Sequence, residues 1–129
     1  MTEFWSLRGR AGGIIFGAPD KPQPKEIFMR MLMIVALPHQ PFNAAVKTGV
    51  AGAKIGKILE TMKPESAVFT EINGKRTGVF VVNVPDATKI PALCEPWFLT
   101  FEADVQLHPA MTPEDLHYAG LDSMGKLWG

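Results

Sequence analysis

The sequence predicts an α+β fold of the ferredoxin-like type, a βαββαβ chain whose antiparallel sheet has the strand order 4-1-3-2. Three observations carry this. Asn73-Gly74 stands between two strand-like runs, and a type I′ hairpin needs two residues that accept positive φ, as Asn and Gly do. One stretch of helical spacing precedes that hairpin and another follows it. Strand-like runs open and close the series, which is then the split βαβ arrangement. Right-handed crossovers put both helices on one face of the sheet.

Residues 1–27 hold Gly9, Gly12, Gly13, Gly17, Pro19, Pro22 and Pro24 without a sustained period, and read as a flexible tail ahead of a domain spanning 28–129. Phe28 to Leu37 is a short apolar run closed by Pro38 and Pro41, a central strand. Met29, Met31, Met33, Val35 and Leu37 share its buried side, and Arg30 marks the other. From Phe42 to Met62 the apolar spacing becomes helical, with Ala44, Ala51, Ile55, Ile58, Leu59 and Met62 on one stripe. Gly49, Gly52 and Gly56 weaken this helix by up to ~1 kcal/mol each, which close approach to a neighbour would explain. Their spacing is not that of a phosphate loop, which would need Gly at Ala51 and Ser or Thr at Ile58.

The hairpin has a definite register. A two-residue loop pairs Ile72 with Lys75, Glu71 with Arg76, Thr70 with Thr77 and Phe69 with Gly78, so Glu71 and Arg76 are expected to form a cross-strand ion pair. Asp86 or Thr88 caps the second helix and Pro91 fits its first turn. Ile90, Leu93, Cys94 and Trp97 form its inward stripe, and Pro96 is expected to end it. Phe98 to His108 then alternates cleanly, Leu99, Phe101, Ala103, Val105 and Leu107 against Thr100, Glu102, Asp104, Gln106 and His108, as a half-buried strand does. Thr112-Pro113-Glu114-Asp115 begins a short last helix, expected to pack at a sheet edge.

Composition narrows the function classes. At 129 residues the chain is long enough for one domain and one core. Thirteen basic residues cancel thirteen acidic ones, and no basic stripe with interleaved aromatics favours nucleic acid. The longest apolar run, Met31 to Leu37, is far below the ~20 residues of a membrane helix. Cys94 is the only cysteine, so no intrachain disulfide forms, and a cytoplasmic protein is expected.

From about Met29 onward the chain resembles the dimeric α+β barrel superfamily. Gly78-Val-Phe-Val-Val-Asn-Val-Pro85, and Pro96-Trp-Phe-Leu through His108-Pro109, are similar to the muconolactone isomerase family, and the chain is closer still to small bacterial proteins of that superfamily. The resemblance implies pairing of two copies through their sheets. An isologous partner would cover the mixed face that carries Leu32 and Ile34 beside the polar side of the fourth strand. The haem-degrading members of the superfamily would place a histidine on the second helix, and Asp86 to Trp97 has none.

Two neighbourhoods of chemistry-bearing residues follow from the predicted sheet. His39 and His108 fall at its opposite ends, roughly 25 Å apart at about 3.3 Å per residue. The first groups His39 and Asn43 with Glu95 and Trp97 over the Met29, Met31 and Met33 row. There His39 or Glu95 would move a proton, Trp97 would stack on a ligand, and the methionines would adapt to it. The second groups Arg30, Glu102, Asp104 and His108 on the barrel face. Two carboxylates alternating on one strand can act as acid and base, and Arg30 salt bridging is the structural alternative. Glu114-x-x-His117 is half of a carboxylate metal motif whose other members are missing, so no metal is expected. Cys94, inward and without a basic neighbour, reads as an inert thiol.

The function expected is a homodimer binding a small apolar or aromatic metabolite, or an isomerase or cyclase acting on one without a cofactor. The alternative is a non-enzymatic interaction or ligand-sensing module, docking through Phe42, Val46 and Val50.

Overall fold

A computed structural model describes residues 28–129; the expected tail over 1–27 lies outside the described residues. The elements run β1 (Met29–Leu37), α1 (His39–Lys47), α2 (Ala51–Met62), β2 (Ser66–Ile72), β3 (Lys75–Val84), a 3-10 turn (Ala87–Lys89), α3 (Ile90–Phe101), β4 (Asp104–Pro109), α4 (Pro113–His117) and α5 (Leu121–Trp128). The four strands form one antiparallel sheet of order β2-β3-β1-β4. This is the expected 4-1-3-2 order read from the other edge, in an α+β architecture compatible with a ferredoxin-like fold. No helix among the described residues is long and apolar enough to cross a membrane.

The hairpin forms in the register its turn dictates, Ile72 opposite Lys75 and Phe69 opposite Gly78. Asn73 and Gly74 both take positive φ, 57° and 79°. The alternation along β1 decides which face is covered. Met31, Met33, Val35 and Leu37 are buried, and with Phe80, Val82 and Val84 of β3 they meet Phe42, Ala45, Ile58, Cys94, Trp97 and Phe101 of the helices in one core. None of the opposite-face residues Leu32, Ile34, Val79 or Val81 belongs to that core. Register with β4 sets Leu32 opposite His108, Ile34 opposite Gln106 and Ala36 opposite Asp104.

The core is organised by a row of aromatic rings. Phe42 packs on Phe101 (centroids 5.1 Å), Phe101 on Trp97 (6.2 Å), Trp97 on Phe80 (5.4 Å) and Phe80 edge-on to Phe69 (5.6 Å). These separations and tilts fall in the range where ring pairs add to burial. Trp97 is fully enclosed, and its indole N–H donates to Met62 Sδ at 3.3 Å.

Four expectations are corrected. The helix expected over Phe42 to Met62 is two helices, because Gly49 takes φ 77° just after Thr48 caps α1. A left-handed glycine there ends one helix and turns the chain into the next. Gly52 and Gly56 have no heavy atom of the described residues within 4 Å of an added Cβ, so among these residues nothing approaches them closely. Pro96 does not end the second helix; α3 continues to Phe101 and stops where Glu102 turns left-handed at φ 55°. Burying Phe101, one turn beyond Trp97, offsets the hydrogen bond that Pro96 removes. The last strand therefore starts at Asp104. Finally, the C-terminal segment forms two helices, and neither has a buried residue. Thr112 caps α4 in a reciprocal box with Asp115, at 3.1 and 3.0 Å, as its sequence predicts.

Candidate functional site

The end of β1 runs through Pro38 directly into α1, and β3 starts beside it, Leu37 standing opposite Arg76. This crossing gathers a polar group that rests on the aromatic row. Phe42 is buried against Phe101, with the Arg76 guanidinium 4.8 Å above its ring. Arg76 Nη1 donates to Asn43 Oδ1 at 2.8 Å. His39, exposed, is one helical turn before Asn43 and so shares its side of α1.

Of the first expected neighbourhood, the structure places His39 and Asn43 together and sends the other members elsewhere. Trp97 is a core residue whose ring packs on Phe80 and Phe101. Met33 is fully enclosed and Met31 nearly so, at 0% and 8% exposure. Glu95 is exposed on α3. Phe42, the first member of the expected docking patch, is turned inward, which leaves Val46 and Val50 as its exposed part.

Arg76 was not read as part of a site, because its register places it opposite Glu71. The register holds, but the ion pair does not form. Glu71 Oε2 instead accepts the N–H of Gly74 in its own hairpin turn at 2.8 Å, and the guanidinium turns to Asn43. The signal available in the sequence is local: an acidic residue three positions before the turn glycine has a backbone donor within reach.

The second neighbourhood lies on the open sheet face and is dispersed. Arg30 turns away from β4 and grips Glu65, Nε to Oε1 at 3.0 Å and Nη2 to Oε2 at 3.4 Å. Glu102 is the residue that ends α3, so it does not share a strand face with Asp104. Asp104, Gln106 and His108 remain aligned on β4, with His108 Nε2 and Gln106 Oε1 3.1 Å apart. Asp104 and His108 stand four residues apart, roughly 13 Å, too far for a direct hydrogen bond. Among the described residues no three His, Cys, Asp or Glu side chains gather as a metal site would require. Glu114 and His117 are exposed on α4.

A third feature is an open groove of about 520 Å³ between α2 and α3, walled by Lys54, Lys57, Ile58, Thr61 and Leu99. Cys94 faces the core, and its thiol titrates above the ordinary value because burial disfavours the thiolate and the Glu95 charge adds to this. Comparison with family models, curated proteins and solved structures finds no match to the chain.

Proposed function

We propose that the protein is a homodimeric small-molecule-binding domain whose two copies pair through the open faces of their sheets. The observation that carries this reading is that face itself. Leu32, Ile34, Val79 and Val81 form an apolar centre outside the core, continued by Val68 at 59% exposure and Ile72 at 43%. At its borders stand the Arg30–Glu65 pair and the Asp104, Gln106 and His108 row. An apolar centre with a polar border is how protein surfaces that bind are built. A two-fold partner places the same patch against itself, and a chain of zero net charge raises no overall repulsion to oppose it. β2 supports the reading further: all seven of its residues are exposed and its outer edge pairs with no strand among the described residues, a surface that natural sheets cover or protect.

If the domain is catalytic, the reading is cofactor-free acid–base chemistry of the isomerase or cyclase type, with His39 or His108 transferring the proton. Native mass spectrometry of the full chain tests the assembly and retains bound small molecules. A dimer is expected, and Ile34→Glu, which sets a carboxylate in the middle of the apolar centre, is expected to give a monomer. A wild-type monomer at tens of micromolar would overturn the reading.

A further inference from the structure

We propose that the Arg76 cluster is the site that holds a carboxylate-bearing small molecule. This rests on the reading of the protein as a small-molecule-binding domain and states where, and by what chemistry, the ligand is gripped.

The two arginines among the described residues differ in their partners. Arg30 spends its fork on the Glu65 carboxylate. Arg76 has no carboxylate among the described residues: it gives one N–H to the neutral amide of Asn43, and its guanidinium carbon stands 4.8 Å over the Phe42 ring. Its counter-charge by register, Glu71, is held by the Gly74 N–H. The remaining N–H groups of its guanidinium have no acceptor among the described residues. Arg76 is also half-buried, so its charge is partly withdrawn from water, and no anion among the described residues compensates it.

The guanidinium is also held in place. Asn43 holds one N–H of the guanidinium, whose central carbon stands 4.8 Å over the Phe42 ring, and Phe42 is itself packed against Phe101. A guanidinium held in this way loses little freedom when a ligand arrives, and its flat pair of donors fits a carboxylate with two parallel hydrogen bonds. A monoanion suits the site better than a dianionic phosphate, because Arg76 supplies a single positive charge and the Glu71 carboxylate lies opposite it on the neighbouring strand. His39, one turn earlier on α1, is placed at the rim as a second hydrogen-bonding group.

The test is a titration of the full-length, isotopically labelled protein with sodium benzoate, with sodium phosphate and sodium chloride at matched ionic strength alongside, followed by NMR of the backbone amides and the Arg76 Nε–H. Benzoate is expected to give saturable shifts at His39, Phe42, Asn43 and Arg76, with phosphate weaker. Arg76→Gln should weaken benzoate at least about tenfold, Arg76→Lys less, and Asn43→Ala, which keeps the charge but frees the guanidinium, by an intermediate factor. Well-dispersed spectra of the variants establish that they are folded. Equal affinity in Arg76→Gln, tighter phosphate than benzoate, or no saturable shift at these four residues would overturn the site. Saturable shifts confined to the open face, at Leu32, Ile34 and His108, would overturn this site and leave the binding-domain reading standing.

Discussion

Gly78 is buried in the middle of β3, and it is a glycine because the ring of Phe80 lies back across it. A Cβ there would stand 2.5 Å from Phe80 Cζ and 3.1 Å from Phe69 Cε1. Phe80 cannot swing away, since it is fully enclosed and stacked on Trp97 at 21°. Gly78→Ala is therefore expected to destabilise the fold by about 1–3 kcal/mol, the usual effect of forcing volume into a packed core. The readout is a lower urea midpoint with an unchanged slope. Cys94 gives a second prediction at this scale. Burial raises its folded-state pKa above the ordinary 9.0, with the Glu95 charge adding to the shift, so the native thiol keeps its proton where the unfolded one loses it. The resulting stabilisation is complete below pH 9.0 and is lost as pH rises through the folded value. Unfolding titrations from neutral pH into the alkaline range should show a smaller alkaline loss in Cys94→Ala than in the wild type. Arg76 shows where reading single residues from sequence stops: its register opposite Glu71 is legible, but which donor Glu71 prefers depends on how its side chain folds back over the turn.

Between residues and molecule, the elements show which signals in the sequence decide structure. The β2–β3 hairpin was legible to the residue because Asn73-Gly74 fixes its turn locally. The stretch Leu99 to Ala103 was not, because it satisfies two periods at once. Phe101 is two residues from Leu99 in a strand pattern and four from Trp97 in a helical one. Contact with Phe42 and Trp97 resolves it as helix, and Leu99 is left 80% exposed. The break between α1 and α2 was hidden for a similar reason, since the apolar stripe continues in phase across it. Only one of the three glycines there has a conformational role, and substitution separates them. Gly49→Ala forces an alanine into positive φ and should cost about 1 kcal/mol or more. Gly52→Ala and Gly56→Ala, in helical backbone with open space around the new methyl, should each stabilise by about 0.5–1 kcal/mol. Thermal or urea unfolding of the three variants gives the signs directly.

At the scale of the whole molecule, the strand order and the choice of covered face were both readable, because alternation along β1 and the split βαβ order leave little freedom. The candidate sites were only half readable. Sequence places His39 with Asn43, but the helix that carries Glu102 and the salt bridge that diverts Arg30 depend on packing between distant segments. The molecule buries its helix-side core and leaves Leu32, Ile34, Val79 and Val81 of the other sheet face outside it, and if the proposed partner covers that face, folding and association are linked. Raising the chain concentration tenfold should raise Tm by about 2–4 °C, as mass action requires of a dimer that dissociates on melting. The same change should leave Ile34→Glu unaffected. Differential scanning calorimetry at two concentrations makes the comparison.

The central position of β1 also has a meaning in time. Translation delivers β1 before every other described element, yet its two neighbours are β3 and β4. Asp104, which pairs with Ala36, emerges about 70 residues later, some 3–14 s at ordinary elongation rates of roughly 5–20 residues per second. Throughout that interval a methionine-rich strand waits with one or both edges open, while the hairpin made after it has already closed on itself. Of the described strands, the one synthesised first is completed last, and during biosynthesis it is the one most in need of shelter.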